Sequence, residues 1–148
     1  MSLQERLSQE IKSAMFAKDA ERLGTLRLLK SALGYAQIEK KTETTSDADF
    51  IVLVQKEIKK RRDSIEQYEK GGRPELAAKE KQEIGVLETF LPQALSETEL
   101  EQLVRLTIHD LGATSKKEMG QVIKAVQAKA GGRAEGKTIS HIAGILLP

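Results

Sequence analysis

At 148 residues the chain has room for one domain or two small ones and can bury a core without staples. It has no cysteine, which excludes disulfides, thiolate zinc sites and a cysteine nucleophile. Aromatic content is 3% with no tryptophan, which argues against a base-stacking platform, and the 31% of charged residues nearly cancel to +2, so any nucleic-acid binding needs a local patch. No apolar run approaches the ~20 residues that span a bilayer. Residues 1–17 already carry Glu5, Arg6, Glu10 and Lys12, the mark of an amphipathic helix and not of a signal peptide. The expectation is a cytosolic protein with no membrane association.

The hydrophobic spacing predicts an all-α chain of seven helices: an N-terminal four-helix unit over residues 1–91, then a smaller three-helix unit over 92–148. Ser2-x-x-Glu5 reads as a capping box for the first helix, whose Leu3, Leu7, Ile11 and Ala14 form one stripe. Asp19 caps the second, in which Leu23, Leu26, Leu29, Leu33 and Ala36 face a core until Lys40-Lys41. After a polar loop from Thr42, Ser46 or Asp47 starts a long third helix that Gly71-Gly72 stops near Lys70, and Pro74 opens the fourth, carrying Leu76, Ile84, Leu87 and Leu91. Pro92 marks the break between the units. Ser96-x-x-Glu99 caps the fifth helix up to Gly112, Ser115-x-x-Glu118 opens the sixth in the same way, and Thr138 caps a short seventh.

The third helix holds Lys59-Lys60-Arg61-Arg62. At about 100° per residue these four cannot all face water, and the stripe through Val54, Ile58 and Ile65 needs an inward residue at 61 or 62. Symmetry about the Gly71-Gly72 turn sets Arg62 level with Glu80, which fills the gap between Leu76 and Ile84. A structural ion pair between Arg62 and Glu80 is expected, with Arg61 as the alternative donor.

Gly131-Gly132-Arg133-Ala134-Glu135-Gly136-Lys137-Thr138 matches the phosphate-loop pattern G-x-x-x-x-G-K-[ST] letter for letter. A true phosphate loop follows a buried strand, yet Met119, Val122, Ile123, Val126 and Ala130 recur at helical spacing, and nucleotide hydrolysis is rejected on that ground. What remains is a helix start with Lys137 and Arg133 beside it, suited to one backbone phosphate. Residues 112–148 lean basic, with Lys116, Lys117, Lys124, Lys129, Arg133 and Lys137 against only Glu118 and Glu135. Lys116, Lys117, Lys124, Arg133 and Lys137 are therefore the candidate nucleic-acid contacts; Lys117 and Lys124 are seven apart, and Lys129 is rotated away from them. The two histidines, His109 and His141, lack a third ligand at helical spacing, so no metal and no cofactor are expected, and they read as boundary histidines. The serines at 2, 46, 96 and 115 are spent on caps, leaving no catalytic constellation.

The stretch Arg61-Arg62-Asp63-Ser64-Ile65 through Tyr68, with Gly71-Gly72-Arg73, Glu75-Leu76, Glu80, Glu83-Ile84 and Leu91-Pro92, resembles the YqeY family. Met119-Gly120-Gln121-Val122, Gly131-Gly132-Arg133 and Gly136-Lys137 extend that resemblance over nearly the whole chain. It is similar to the tail domain of the B subunit of glutamine-dependent aspartyl/glutamyl-tRNA amidotransferase, a domain shared by GatB and YqeY proteins. The resemblance implies a two-part all-helical fold split near Pro92. It also implies a link to tRNA-dependent amidation, in which the amidotransferase tail engages tRNA, and a carbon–nitrogen ligase activity with glutamine as amide donor. These residues hold no counterpart of the B subunit's kinase-like core or of a glutaminase. The leading expectation is therefore an accessory module that binds tRNA through its basic C-terminal face. The rivals are a helical adaptor docking on an amidotransferase or aminoacyl-tRNA synthetase, and a ligase in its own right.

Overall fold

Seven α-helices and no strand make up the structure, a computed structural model that describes all 148 residues. Side-chain caps set most of the early starts. Ser2 accepts the Glu5 amide while the Glu5 carboxylate takes the Ser2 amide, so α1 (Leu3–Phe16) opens with both halves of a capping box. Asp19 caps α2 (Ala20–Lys40) and Ser46 caps α3 (Asp47–Lys70). Pro74 sits in the first turn of α4 (Pro74–Glu88), where a missing amide costs nothing. Between α3 and α4 the chain reverses through Gly72 at φ +70°, a backbone state that costs an ordinary side chain ~1–2 kcal/mol. The Arg73 amide closes that turn on the Tyr68 carbonyl at 2.8 Å.

The chain divides into two units, Met1–Leu91 with α1 to α4, and Pro92–Pro148. The second contains α5 (Glu97–Leu111), a single 3-10 turn (Lys116–Glu118), α6 (Met119–Ala130) and α7 (Gly136–Leu146). In the first unit Leu7, Leu26, Leu29, Leu33, Val54, Ile58, Ile84 and Leu87 close around Phe50 and Phe90. The two rings lie tilted with centroids 5.7 Å apart, inside the range where aromatic pairs attract beyond their area. Arg6 lays its guanidinium 4.9 Å from the Phe90 centroid and donates to the Thr89 carbonyl at 2.6 Å, fixing the end of the unit. In the second unit Leu100, Val104, Val122, Val126, Ile139, Ile142, Ala143 and Leu147 form a separate core.

Three local expectations need correction. Ser115 makes no side-chain cap; the Glu118 amide bonds the Ser115 carbonyl at 3.1 Å in a 3-10 turn, and the Glu118 carboxylate accepts from the Thr114 amide and hydroxyl instead. Thr138 does not cap α7, because helical bonding already begins with the Ile139 amide on the Glu135 carbonyl, which puts Thr138 inside the first turn. Leu76 stands at the exposed rim of α4, and Ala77 is the buried residue of that turn.

The expected Arg62–Glu80 pair is also corrected, in favour of Arg61. Arg61 lies three residues after Ile58 and four before Ile65, so it continues the buried stripe, whereas Arg62 is a further 100° round the helix. The pairing centre falls at Gly72, which places Arg61 opposite Glu83. Arg61 Nε meets Glu83 at 3.0 Å and Glu80 at 4.0 Å, its Nη1 donates to the Glu57 carbonyl at 3.0 Å, and its side chain is only 11% exposed. Arg62 reaches the Glu88 carboxylate at 3.5 Å across the exposed edge.

Arg61→Ala should therefore cost about 3 kcal/mol in a urea melt, since it strands two half-buried carboxylates, while Arg62→Ala should cost under ~1 kcal/mol. Burial, then the Glu83 charge, pushes the Glu80 carboxyl above its ordinary 4.5, with Arg61 and Lys79 pulling back less. The folded chain thus holds that proton more tightly than the unfolded chain, so ionised Glu80 costs stability at neutral pH. That cost fades as pH falls through the raised pKa. Glu80→Gln should melt higher than the parent at pH 7, with the gap closing toward pH 4.5; an equal gap at both pH values would contradict it.

Candidate nucleic-acid interface

Lys116 and Lys117 stand in the 3-10 turn that feeds α6, exposed and with no carboxylate partner. α6 buries Val122, Val126 and Ala130, which turns Lys124 to the opposite, solvent side. Because α6 begins only at Met119, Lys117 and Lys124 do not share one continuous helix, and the seven-residue spacing does not by itself align them. Lys129 is held apart from this set by Asp110, 3.5 Å away on the end of α5. Lys137 is the second residue of α7 and exposed. Glu135 gives that helix no side-chain cap, so its first amides are not satisfied by a cap from within the chain.

Arg133 has an internal duty that sequence spacing did not reveal. Its Nε donates to the Gln93 carbonyl at 2.9 Å, and its own carbonyl accepts the Leu95 amide at 2.8 Å. These two bonds tie the Gly131–Arg133 turn to the extended segment that leads into α5. Gly131 at φ +57° ends α6 and Gly132 at φ +90° follows it, conformations open to glycine and strained for others. Next door, Ser96 and Glu99 form both halves of the capping box of α5. The Ser96 hydroxyl and amide hold the Glu99 carboxyl below its ordinary 4.5, with a smaller pull from Arg133. Gly136 brings the start of α7 so close to α6 that an added Cβ would meet Gln127 Nε2 at 2.7 Å.

The approach to Gly131 is helix from Met119 to Ala130, so the phosphate-loop lettering sits on a helix–turn–helix and lacks its strand. Both histidines are exposed and not boundary residues, and His109 Nδ1 lies 3.7 Å from the Asp110 carboxylate. No three histidine or carboxylate side chains converge on a point where a metal ion could sit. No helix is long and apolar enough to cross a membrane.

The profile of the Yqey-like protein family matches residues 4–146. The chain belongs to that family. It is 30% identical over 131 residues to "Altered inheritance of mitochondria protein 41, mitochondrial" of Pyrenophora tritici-repentis, covering 87% of this chain and 71% of that one. An uncharacterised protein of Schizosaccharomyces pombe is 35% identical over 95 residues, 64% of this chain and 76% of its own length. The protein of the same mitochondrial name from Vanderwaltozyma polyspora is 32% identical over 107 residues, 71% of this chain and 58% of its own. The expected cytosolic location is corrected by these names, which point to mitochondria. The absence of cysteine and of a helix able to cross a membrane does not distinguish one compartment from another.

If Arg133 positions the turn, Arg133→Ala should lower the unfolding free energy of the Pro92–Pro148 unit by about 1 kcal/mol, the worth of an exposed charged hydrogen bond. Lys124→Ala, on the open face of α6, should leave thermal unfolding within ~0.5 kcal/mol of the parent. Equal stability of the two variants would show that the Gln93 contact contributes nothing.

Proposed function

We propose that Pro92–Pro148 is an RNA-backbone-binding module that serves glutamine-dependent tRNA amidation as an accessory, without performing the amide transfer itself. The observation that supports this reading is the set of unpaired lysines that the unit presents to solvent. Four of its six acids, Glu97, Glu99, Glu101 and Asp110, lie on α5, where Arg105 and Lys129 engage two of them, and Glu118 and Glu135 stand within the basic segment. Of the unit's five lysines only Lys129 meets a carboxylate; Lys116, Lys117, Lys124 and Lys137 stay exposed with no ion pair. Unpaired lysines at a turn, on a solvent face and at an uncapped helix start suit phosphates, which are held by charge and by backbone amides.

Membership in the family supports the link to amidation through the domain that YqeY proteins share with the amidotransferase B subunit. Recognition on this reading is by shape and charge. Tyr35 and Tyr68, the only tyrosines, both lie outside the unit, so it offers no ring platform of that kind for bases.

A titration with bulk tRNA at several salt concentrations tests the reading. About four phosphate contacts should give a log–log salt slope near −3 to −4. Changing Lys116, Lys117, Lys124 and Lys137 together to alanine should flatten that slope and weaken binding at least tenfold, with unfolding unchanged. Absence of binding by the parent, or an unchanged slope in the variant, refutes the assignment.

A further inference from the structure

α7 turns Ile139, Ile142 and Ala143 into the core of Pro92–Pro148 and leaves Lys137, Thr138 and His141 open to solvent. His141 follows Lys137 by four residues, one turn along the same face, where Cβ atoms lie roughly 5–6 Å apart. No contact inside the chain employs it. The histidine that does meet a carboxylate is His109, beside Asp110, and no carboxylate comes within 4 Å of the His141 imidazole. Histidine is also the one side chain whose ordinary charge change falls between about pH 5 and 8. The exposed face of α7 thus joins a fixed cation to a group that can become one.

We propose, resting on the RNA-binding reading of this unit, that His141 is a further contact of that site and takes up a proton when an RNA phosphate settles beside it and Lys137. A neutral imidazole offers a phosphate one N–H; an imidazolium offers two and a positive charge. The phosphate in turn favours the charged ring. Uptake of RNA and uptake of a proton therefore reinforce each other, and linkage makes the coupling equal in both directions. The proton is held more tightly in the complex than in the free chain. The gain in affinity is complete below the titration of the free imidazole, and it disappears as pH rises through the titration of the complex.

The charges around α7 leave this coupling to the RNA. Lys137 is the only other charged residue of the helix. Glu135, at its N-cap, lies six residues back and about 120° round the axis from His141. α5 and α6 both pack against α7. On α5 the acids are mostly engaged: Glu99 by Ser96, Glu101 by Arg105, and Asp110 by Lys129 and His109, which leaves Glu97. α6 carries only the cations Lys124 and Lys129. No carboxylate of the unit is in place to pair an imidazolium beside Lys137, and a phosphate brought by RNA is the anion that can.

Titration of bulk tRNA into the full chain at about pH 5.5 and about pH 8, each at several salt concentrations, reads the coupling. Parent affinity should be about threefold to fivefold higher at the lower pH, the worth of one exposed ion pair. The log–log salt slope should be steeper there by about 0.7–0.9, one more phosphate contact. His141→Gln should bind equally at both pH values, and His141→Lys should bind at the higher pH as tightly as the parent does at the lower. His109→Gln should keep the parent's response. The imidazole proton resonances of the parent give a readout that needs no variant: tRNA should move the His141 titration to higher pH and leave that of His109 in place. Salt-dependent binding that is the same at both pH values, or an unmoved His141 titration, overturns the proposal and leaves the lysine site standing. So does a pH response that survives in His141→Gln, or a His141→Lys chain no tighter than the parent at the higher pH. Absence of tRNA binding at both pH values overturns the lysine site and the proposal together.

Discussion

One guanidinium sets how α3 and α4, the helical hairpin of the first unit, can meet. α3 and α4 turn Glu80 and Glu83 toward their shared surface, and Arg61 is the cation that reaches both. Without it two carboxylates would face each other on a half-buried surface, where like charge and lost hydration act in the same direction. With Arg61 in place, Ile58 and Ile84 can close, and Phe50 of α3 finds Phe90 at the end of α4. Arg6 then seals Phe90 from α1, so a cation–π contact closes the aromatic pair at the open end of the hairpin while the Arg61 contact lies midway along it.

The helices were legible because each has its own signal: a serine or aspartate before it, a glycine after it, a stripe within it. The pairings between helices were harder to read. Arg61 and Arg62 are chemically equal, and choosing between them needs the register of the hairpin to within one residue; the turn Gly71–Arg73 with Pro74 moves its centre by enough to change the answer. Ser115 and Thr138 looked like caps for the same reason that Ser2 and Ser96 are caps, but a cap needs extended backbone at the right residue. A 3-10 turn after Ser115, and an early start of α7 at Gly136, used those amides first. Phe50 and Phe90 escape periodicity altogether, since one lies near a helix start and the other beyond a helix end.

The candidate interface shows the same division. Composition alone exposes the excess of cations after Gly112, and a helical period places Lys124 on the outside of α6. It cannot show that Arg133 is bonded to the Gln93 carbonyl, because that contact joins residues forty positions apart. Nor does it show that Lys129 is engaged by Asp110. Setting these two aside leaves four lysines, Lys116, Lys117, Lys124 and Lys137, as the cations open to a partner.

α2 illustrates why amphipathic reading is blind to some surfaces. A helix with one apolar face gives a strong periodic signal; a helix with two gives a weak one, because the stripes cancel around the wheel. Here the inner stripe is leucine at every step and is fixed by packing. The outer stripe exposes Leu28, Tyr35 and Ile38, which packing inside the chain does not require. Gly24 and Gly34 weaken the helix that carries them and touch nothing there that would explain their size. A solvent-facing helix under selection for stability alone would carry alanine, lysine or glutamate at those positions.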